Sequence, residues 1–220
     1  MPQLEVPFYA NPDGTHCFQA CLRMVLKYFC PSDHYTWGEL DELSGKRPGK
    51  WTWPLYAIGR LHLLGFEAAI VEDFDYLQFI AEPNKYILHR FGVQAGTEQI
   101  ENSDIPYEVG IARKFCKLAG KPKIPTLADL REFLHSGFLP ICCLNLPALY
   151  GESGYLGHFV VPVKIDDEFV IFRDPGIQTQ IFPSRPASRV SRQIFENAWS
   201  NDRFVVGLKA AKQPSKLKHF

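Results

Sequence analysis

No run of ~18 uninterrupted apolar residues occurs anywhere in the 220-residue sequence, so it offers no membrane-spanning helix. Nor is there an excess of charge of either sign. Lys+Arg and Asp+Glu both number 24, which leaves no global field to attract nucleic acid or an anionic membrane. The first residues, MPQLEVPFYANPDG, lack a basic segment followed by a long apolar core, and the expectation is a cytoplasmic protein. His16, Cys17 and Cys21 have no second Cys-x-x-Cys or His pair at ligand spacing, which argues against zinc. No metal or organic cofactor is implied, and there is no internal repeat.

What is present is an ordinary globular composition, 46% hydrophobic and 22% charged. Six cysteines, Cys17, Cys21, Cys30, Cys116, Cys142 and Cys143, fall mostly inside apolar runs. In a chain of this size without an export signal they are read as reduced thiols, each behaving as a small hydrophobe.

The stretch that organises the rest is THCFQACLRMVLKYF, Thr15 to Phe29. Its apolar positions recur at helical spacing and leave a narrow polar stripe of Gln19, Arg23 and Lys27. Asp13, Gly14 and Thr15 suit a turn and an N-cap, which puts Cys17 in or beside the first helical turn. There the unpaired backbone N–H groups and the positive end of the helix dipole favour thiolate, the nucleophilic form.

Before this helix, Leu4 to Phe8 is read as an extended segment. After it, TWGELDEL carries the capping-box pattern of Thr36 and Glu39 and ends at Ser44-Gly45. A loop with Trp51 and Trp53 follows, and these two rings could line a substrate groove. Pro54 starts the helix LYAIGRLHLLG, which Gly65 stops, and Phe66 to Val71 is a short strand. Asp75 to Ile80 suits a helical turn or two. Pro83 to Ser103 shows no period, whereas Pro106 to Leu118 suits a helix with Ile111, Phe115 and Leu118 on one side. GKPKIP is a plausible lobe boundary. Thr126 caps LADLREFLHSG, and FLPICCLNL is a buried strand by its continuous apolar character. The Gly-rich loop Gly151 to Gly157 could flank a cleft. A last helix spans Ser191 to Trp199 and a last strand Arg203 to Leu208.

A cysteine nucleophile needs a base, and the base needs a group that fixes its tautomer. HFVVPVKI and EFVIFRD form an apparent hairpin around Asp166-Asp167. A loop centred on Asp167 would pair Ile165 with Phe169 and Val160 with Asp174. His158 and Asp174 would then lie diagonally on one face, ~7 to 8 Å apart at Cα, close enough for imidazole and carboxylate to meet. A slip of one residue would separate them onto opposite faces. Asn11 carries an amide that could donate to an oxyanion. His34, His62, His89 and His135 have no thiol or acidic companion at a telling spacing.

The segment H-C-F-Q-A-C-L-R-M-V-L-K-Y-F resembles the D-C-G-x-A-C-L-x-M-x-x-x-Y motif of the bacteriocin-processing peptidases. These are papain-like domains that cut double-glycine leaders at the front of certain ABC exporters. Gly157 to Val161 (G-H-F-V-V) and Arg173 to Pro175 (R-D-P) resemble that family's histidine and aspartate motifs in the same chain order. The resemblance implies an α/β (α+β) papain-like cysteine peptidase fold, with a helical N-terminal part packed on a twisted antiparallel sheet. It implies Cys17 as nucleophile, His158 as general base and acid, and Asp174 as the group orienting His158. Asn11 stands where the family has a glutamine oxyanion donor, Phe18 replaces the usual glycine after the nucleophile, and His16 replaces an aspartate.

Together these readings describe a stand-alone member of the wider peptidase-like group. One domain is expected over 1–210, with a helical lobe of about 1–120, a sheet lobe of about 121–210 and a flexible basic tail at 211–220. The expected activity is cleavage of an amide bond in a peptide or other amide substrate through a thioester on Cys17. The alternatives are a thiol acyltransferase on the same fold and a catalytically silent peptide-binding module.

Overall fold

The computed structural model describes residues 3–177, 179–200 and 203–210, so the expected tail at 211–220 lies outside the described residues. The helical part runs through α1 (Cys17–Phe29), α2 (Trp37–Ser44) and α3 (Pro54–Leu63), then strand β1 (Phe66–Glu72). Next come α4 (Tyr76–Ala81), α5 (Pro83–Asn102) and α6 (Ile105–Phe115), and after a 3-10 turn α7 (Leu127–His135). The remainder comprises β2 (Leu139–Asn145), α8 (Leu146–Leu149), β3 (Gly157–Ile165), β4 (Phe169–Asp174), β5 (Arg185–Ser191), α9 (Arg192–Trp199) and β6 (Phe204–Ala210). The strands make one antiparallel sheet in the order β1-β6-β2-β3-β4-β5. This is the mixed helix-and-sheet class expected.

Local signals account for most elements. Thr36 and Glu39 form the reciprocal capping box of α2, and Gly45 closes it at φ 65°, a left-handed conformation that glycine adopts without strain. Thr126 and Asp129 make a second box at α7. β2 is buried at every position because it sits in the middle of the sheet with helices on both faces.

The sheet separates two cores. On one face α1 packs Phe18, Cys21, Leu22 and Val25 against Phe159, Val161 and Val163 of β3. On the other, α7 and α9 pack Leu130, Phe195 and Trp199 against Cys142, Val160 and Phe172. The polar stripe of α1 is not a solvated one. Gln19 is fully buried, Arg23 stacks over the Tyr9 ring at 4.3 Å, and Lys27 donates to the carbonyl of Asp33 at 2.8 Å.

Two expectations are corrected. The aperiodic stretch from Pro83 to Ser103 is helical: α5 is two helical pieces joined at Gly92, which takes φ 78° and ψ 170°. The break folds the second piece back until Gly96 lies against Ile87 and Leu88, so neither piece carries a long apolar stripe of its own. In the hairpin, Ile165 pairs with Val170 rather than Phe169. The turn selects this: the Asp166 carboxylate accepts from the backbone N–H groups of Glu168 at 3.1 Å and Phe169 at 2.8 Å. The register then shifts between Pro162 and Lys164, and Val161 pairs with Arg173, the pairing expected beside the site. That β-bulge is also why Val163 faces one core and Ile165 the other despite their two-residue spacing. β5 carries no signal that singled it out in the sequence.

Candidate active site

Cys17 is the first residue of α1, and the loop before it sets its position. Asn11 is wholly buried; its Oδ1 accepts from the backbone N–H of Gly14 at 3.0 Å and of His16 at 3.0 Å, with a longer contact to Asp13 at 3.4 Å. Its Nδ2 donates to the carbonyl of Gly176 at 3.0 Å, and its backbone N–H to the carbonyl of Pro175 at 2.9 Å. The side chain expected at the oxyanion thus ties the start of α1 to the end of β4, and it does not line the cleft. Asp13 braces the same turn through Thr15 and the ring of His16, whose other nitrogen reaches Asp41 of α2 at 3.1 Å.

His158 is the second residue of β3 and Asp174 the last of β4. Both are completely buried, and His158 Nε2 lies 2.7 Å from Asp174 Oδ1. Asp174 Oδ1 also accepts from the backbone N–H of Gly176 at 2.9 Å, and Oδ2 from the Tyr150 hydroxyl at 3.3 Å. With Nε2 committed to the carboxylate, Nδ1 is the nitrogen left to exchange a proton. Among the described residues it is buried without a hydrogen-bond partner, and the Cys17 thiol is the second group, after Asp174, that acts on the ring.

The electrostatics follow from that arrangement. Burial pushes the Cys17 thiol up, but the imidazole of His158 and the backbone N–H groups of Phe159 and Phe18 outweigh it and leave the thiol below its ordinary value of 9.0. Burial alone would lower His158; hydrogen bonding to Asp174 and the Cys17 charge instead raise it to about 9. Asp174 is held below its usual range against its own burial by His158, Gly176 and Tyr150. The trio favours thiolate beside imidazolium. By contrast Cys21 and Cys142, buried nearby, are driven well above 9.0 by desolvation. All six cysteines are free.

A cleft of about 370 Å³ opens beside Cys17. Its walls include Trp51 and Trp53 from the loop before α3, Leu156 and Gly157 from the Gly-rich loop, and Phe18. The Phe18 ring packs on Phe159 at 4.9 Å between centroids. Two contributors were not singled out in the sequence. Tyr150 has no local signature, because only the fold brings it to Asp174. Gln19 lines the cleft and donates to Ser44 Oγ at 2.9 Å and Thr52 Oγ1 at 3.0 Å, joining α1, the end of α2 and the tryptophan loop.

No protein-family model matches this chain, and no curated protein matches it either. Among solved structures, the peptidase domain of Streptococcus ComA, a bi-functional ABC transporter involved in a quorum sensing pathway, aligns with a TM-score of 0.50 at 16% identity. That alignment covers 94% of this chain and 100% of that one. A C39-like peptidase from Bacillus anthracis aligns with a TM-score of 0.44 at 16% identity, over 95% of this chain and 96% of its own. At this identity the likeness to the ComA peptidase domain concerns the fold alone: helices and an antiparallel sheet in a shared arrangement.

Proposed function

On the fold of a C39 peptidase domain, we propose that this chain is a thiol-dependent hydrolase that cleaves an amide bond through Cys17, His158 and Asp174. The observation that carries the reading is the 2.7 Å contact of His158 and Asp174 at zero exposure, with a cysteine at a helix start acting on the same imidazole. A buried ion pair of this kind is costly unless its charges are partnered, and the Asp174 carboxylate is held by His158, Gly176 and Tyr150.

In the reaction, the Cys17 thiolate attacks the carbonyl carbon and a tetrahedral oxyanion forms. Backbone N–H groups at the start of α1, which have no partners within the helix, are the donors assigned to it. The intermediate collapses, the bond to the leaving nitrogen breaks, and His158 gives that nitrogen its proton. Water, deprotonated by His158, then attacks the thioester and releases the acid. Asp174 keeps Nε2 protonated in the neutral ring, so that Nδ1 faces the sulfur. Asn11 holds the turn that presents Cys17. Six free thiols suit a reducing compartment, and the reading places the protein in the cytoplasm. Among the described residues no helix is long and apolar enough to cross a membrane.

The test is alkylation of the intact protein with iodoacetamide across a pH series, with the modified residue mapped by mass. Cys17 should label fast below the ordinary thiol range, and His158→Ala should remove that low-pH labelling. Uniform slow labelling of all thiols would identify a silent binding module instead. A product that keeps the acyl group on an added amine acceptor would identify an acyltransferase.

A further inference from the structure

The strand register lays a row of side chains along the cleft beside Cys17. Phe159 of β3 pairs with Cys143 of β2, Cys143 with Phe204 of β6, and Phe204 with Glu72 of β1. Residues paired directly across antiparallel strands put their side chains on one face, and all four of these line the cleft. The row starts at the reacting end, since Phe18, the residue after Cys17, packs its ring on Phe159 at 4.9 Å. Three strand spacings of about 4.8 Å then carry it ~14 Å, Cα to Cα, from Phe159 to Glu72.

The far end of that row differs from its start. Glu72 has the one carboxylate among the described residues that line the cleft. Its Oε1 accepts from the Tyr76 hydroxyl at 2.8 Å, and both residues are partly exposed. Burial and then the Glu72 charge push Tyr76 well above its ordinary range, so the phenol stays the donor and the carboxylate the anion. Beside them the Phe74 ring lies 4.8 Å from Tyr76, with Trp53 at 5.9 Å and Phe91 at 6.4 Å from Phe74. These rings line the cleft too. A carboxylate among aromatic rings suits a long cationic side chain, whose apolar stem packs on the rings while its head meets the charge.

The cations that the chain itself places along the cleft are committed to other groups. Arg90 lies over the Phe91 ring at 5.2 Å and is held by Asp73, through its carbonyl and, at 3.7 Å, its carboxylate. Lys46 donates to the carbonyl of Thr15 at 2.9 Å, at the Cys17 end, and Lys50 to that of Glu101 at 2.7 Å.

We propose that Glu72, with Tyr76 and the rings around Phe74, forms a cation subsite that recognises a Lys or Arg side chain of a peptide substrate, its head ~14 Å from the bond that Cys17 attacks. At about 3.3 Å per extended residue, and with the reach of its own side chain, that Lys or Arg sits about two to four positions from the bond. This deepens the hydrolase reading and rests on Cys17 being the nucleophile. No bond is made or broken at the subsite; Glu72 is a specificity residue.

The experiment uses iodoacetamides extended on nitrogen by two or six methylenes and ending in a guanidinium, each compared with its isosteric urea. Sulfur bonds to the CH₂ carbon as iodide leaves, and alkylation of Cys17 in the full chain is followed by mass. The six-methylene linker roughly spans the row, so there the guanidinium should outrun its urea by about 10- to 100-fold, the range of a hydrogen bond to a charged group. The two-methylene pair should differ little. Glu72→Gln, which keeps an acceptor for Tyr76, should erase the advantage. In the unaltered chain, an advantage that is absent or equal for the two linkers overturns the subsite and leaves the nucleophile standing, as does one that survives in Glu72→Gln. If no reagent labels Cys17 faster than the other thiols, the hydrolase reading falls and the subsite with it.

Discussion

The imidazole of His158 and the carboxylate of Asp174 meet at 2.7 Å across a pair of strands whose register changes by one residue between the turn and the site. Near the turn Ile165 opposes Val170; beyond Pro162, Val161 opposes Arg173. Had the first register continued, the two side chains would lie on opposite faces. The extra residue beside Pro162 restores the pairing, and it falls where the paired stretch of β2 and β3, which ends at Cys142 and Val160, no longer needs a donor that proline lacks.

The thiolate–imidazolium pair sets a pH profile. His158, raised to about 9, can protonate a leaving group up to that pH, so kcat should fall above it. The acidic limb follows loss of the thiolate, below the ordinary 9.0 of cysteine. Initial rates from pH 5 to 10 check both limbs.

The same shifts act on stability with opposite signs. The contribution of His158, raised from 6.5, is full below that value and is lost as pH rises through about 9. That of Cys17, lowered from 9.0, is present above 9.0 and is lost as pH falls through its lowered value. Where the two intervals overlap they oppose each other. Cys17→Ser should expose the slope that Asp174 alone gives His158, with its Tm dropping above pH ~6.5 over a range that ends below about 9, because Cys17 is itself one of the groups that raise His158.

Tyr150→Phe removes the hydroxyl that donates to Asp174 at 3.3 Å and keeps the ring packed on Phe182. As a positioning residue it should cost about 1 kcal/mol, near fivefold in kcat, with KM little changed. Tyr150 itself is pushed up to about 12 by burial and then by the Asp174 charge, so it stays a donor throughout the working range. Steady-state kinetics at several pH values separate this from a loss of folding.

Asn11→Ala distinguishes two duties. If Asn11 organises the turn, its loss strands buried N–H groups of Gly14 and His16 and costs about 2–4 kcal/mol in denaturant unfolding, with kcat of the folded protein largely kept. If it binds the oxyanion, kcat falls by about 10²–10³.

The sequence and the structure agree where a signal is local. The Thr36–Glu39 box, Pro54 at a helix start, the seven buried residues of β2 and the apolar face of α1 each declare themselves within a turn or a strand. The diagonal placing of His158 and Asp174 was readable because residue spacing in a hairpin constrains geometry. The two pieces of α5 were hidden because Gly92 divides their pattern, and Gln19 because only the approach of Ser44 and Thr52 makes a buried amide tenable. Tyr150 depends on a contact 24 residues away in the chain.

Gly176→Ala should be the most damaging single methyl. At φ 65° its added carbon would sit 2.4 Å from the backbone nitrogen of Ser184, where nothing flexible can yield. A loss of several kcal/mol in chemical unfolding is expected, about 3 or more, accompanied by loss of low-pH alkylation at Cys17.

That residue also carries a wider lesson. Its N–H reaches Asp174 and its C=O receives Asn11, so a single amino acid couples the acid of one strand to the loop that aims the sulfur. Transplanting residues 11–29 into another scaffold would carry the nucleophile but forfeit its alignment. A designer wishing to move this chemistry would have to graft the 174–176 corner with it, as one inseparable unit.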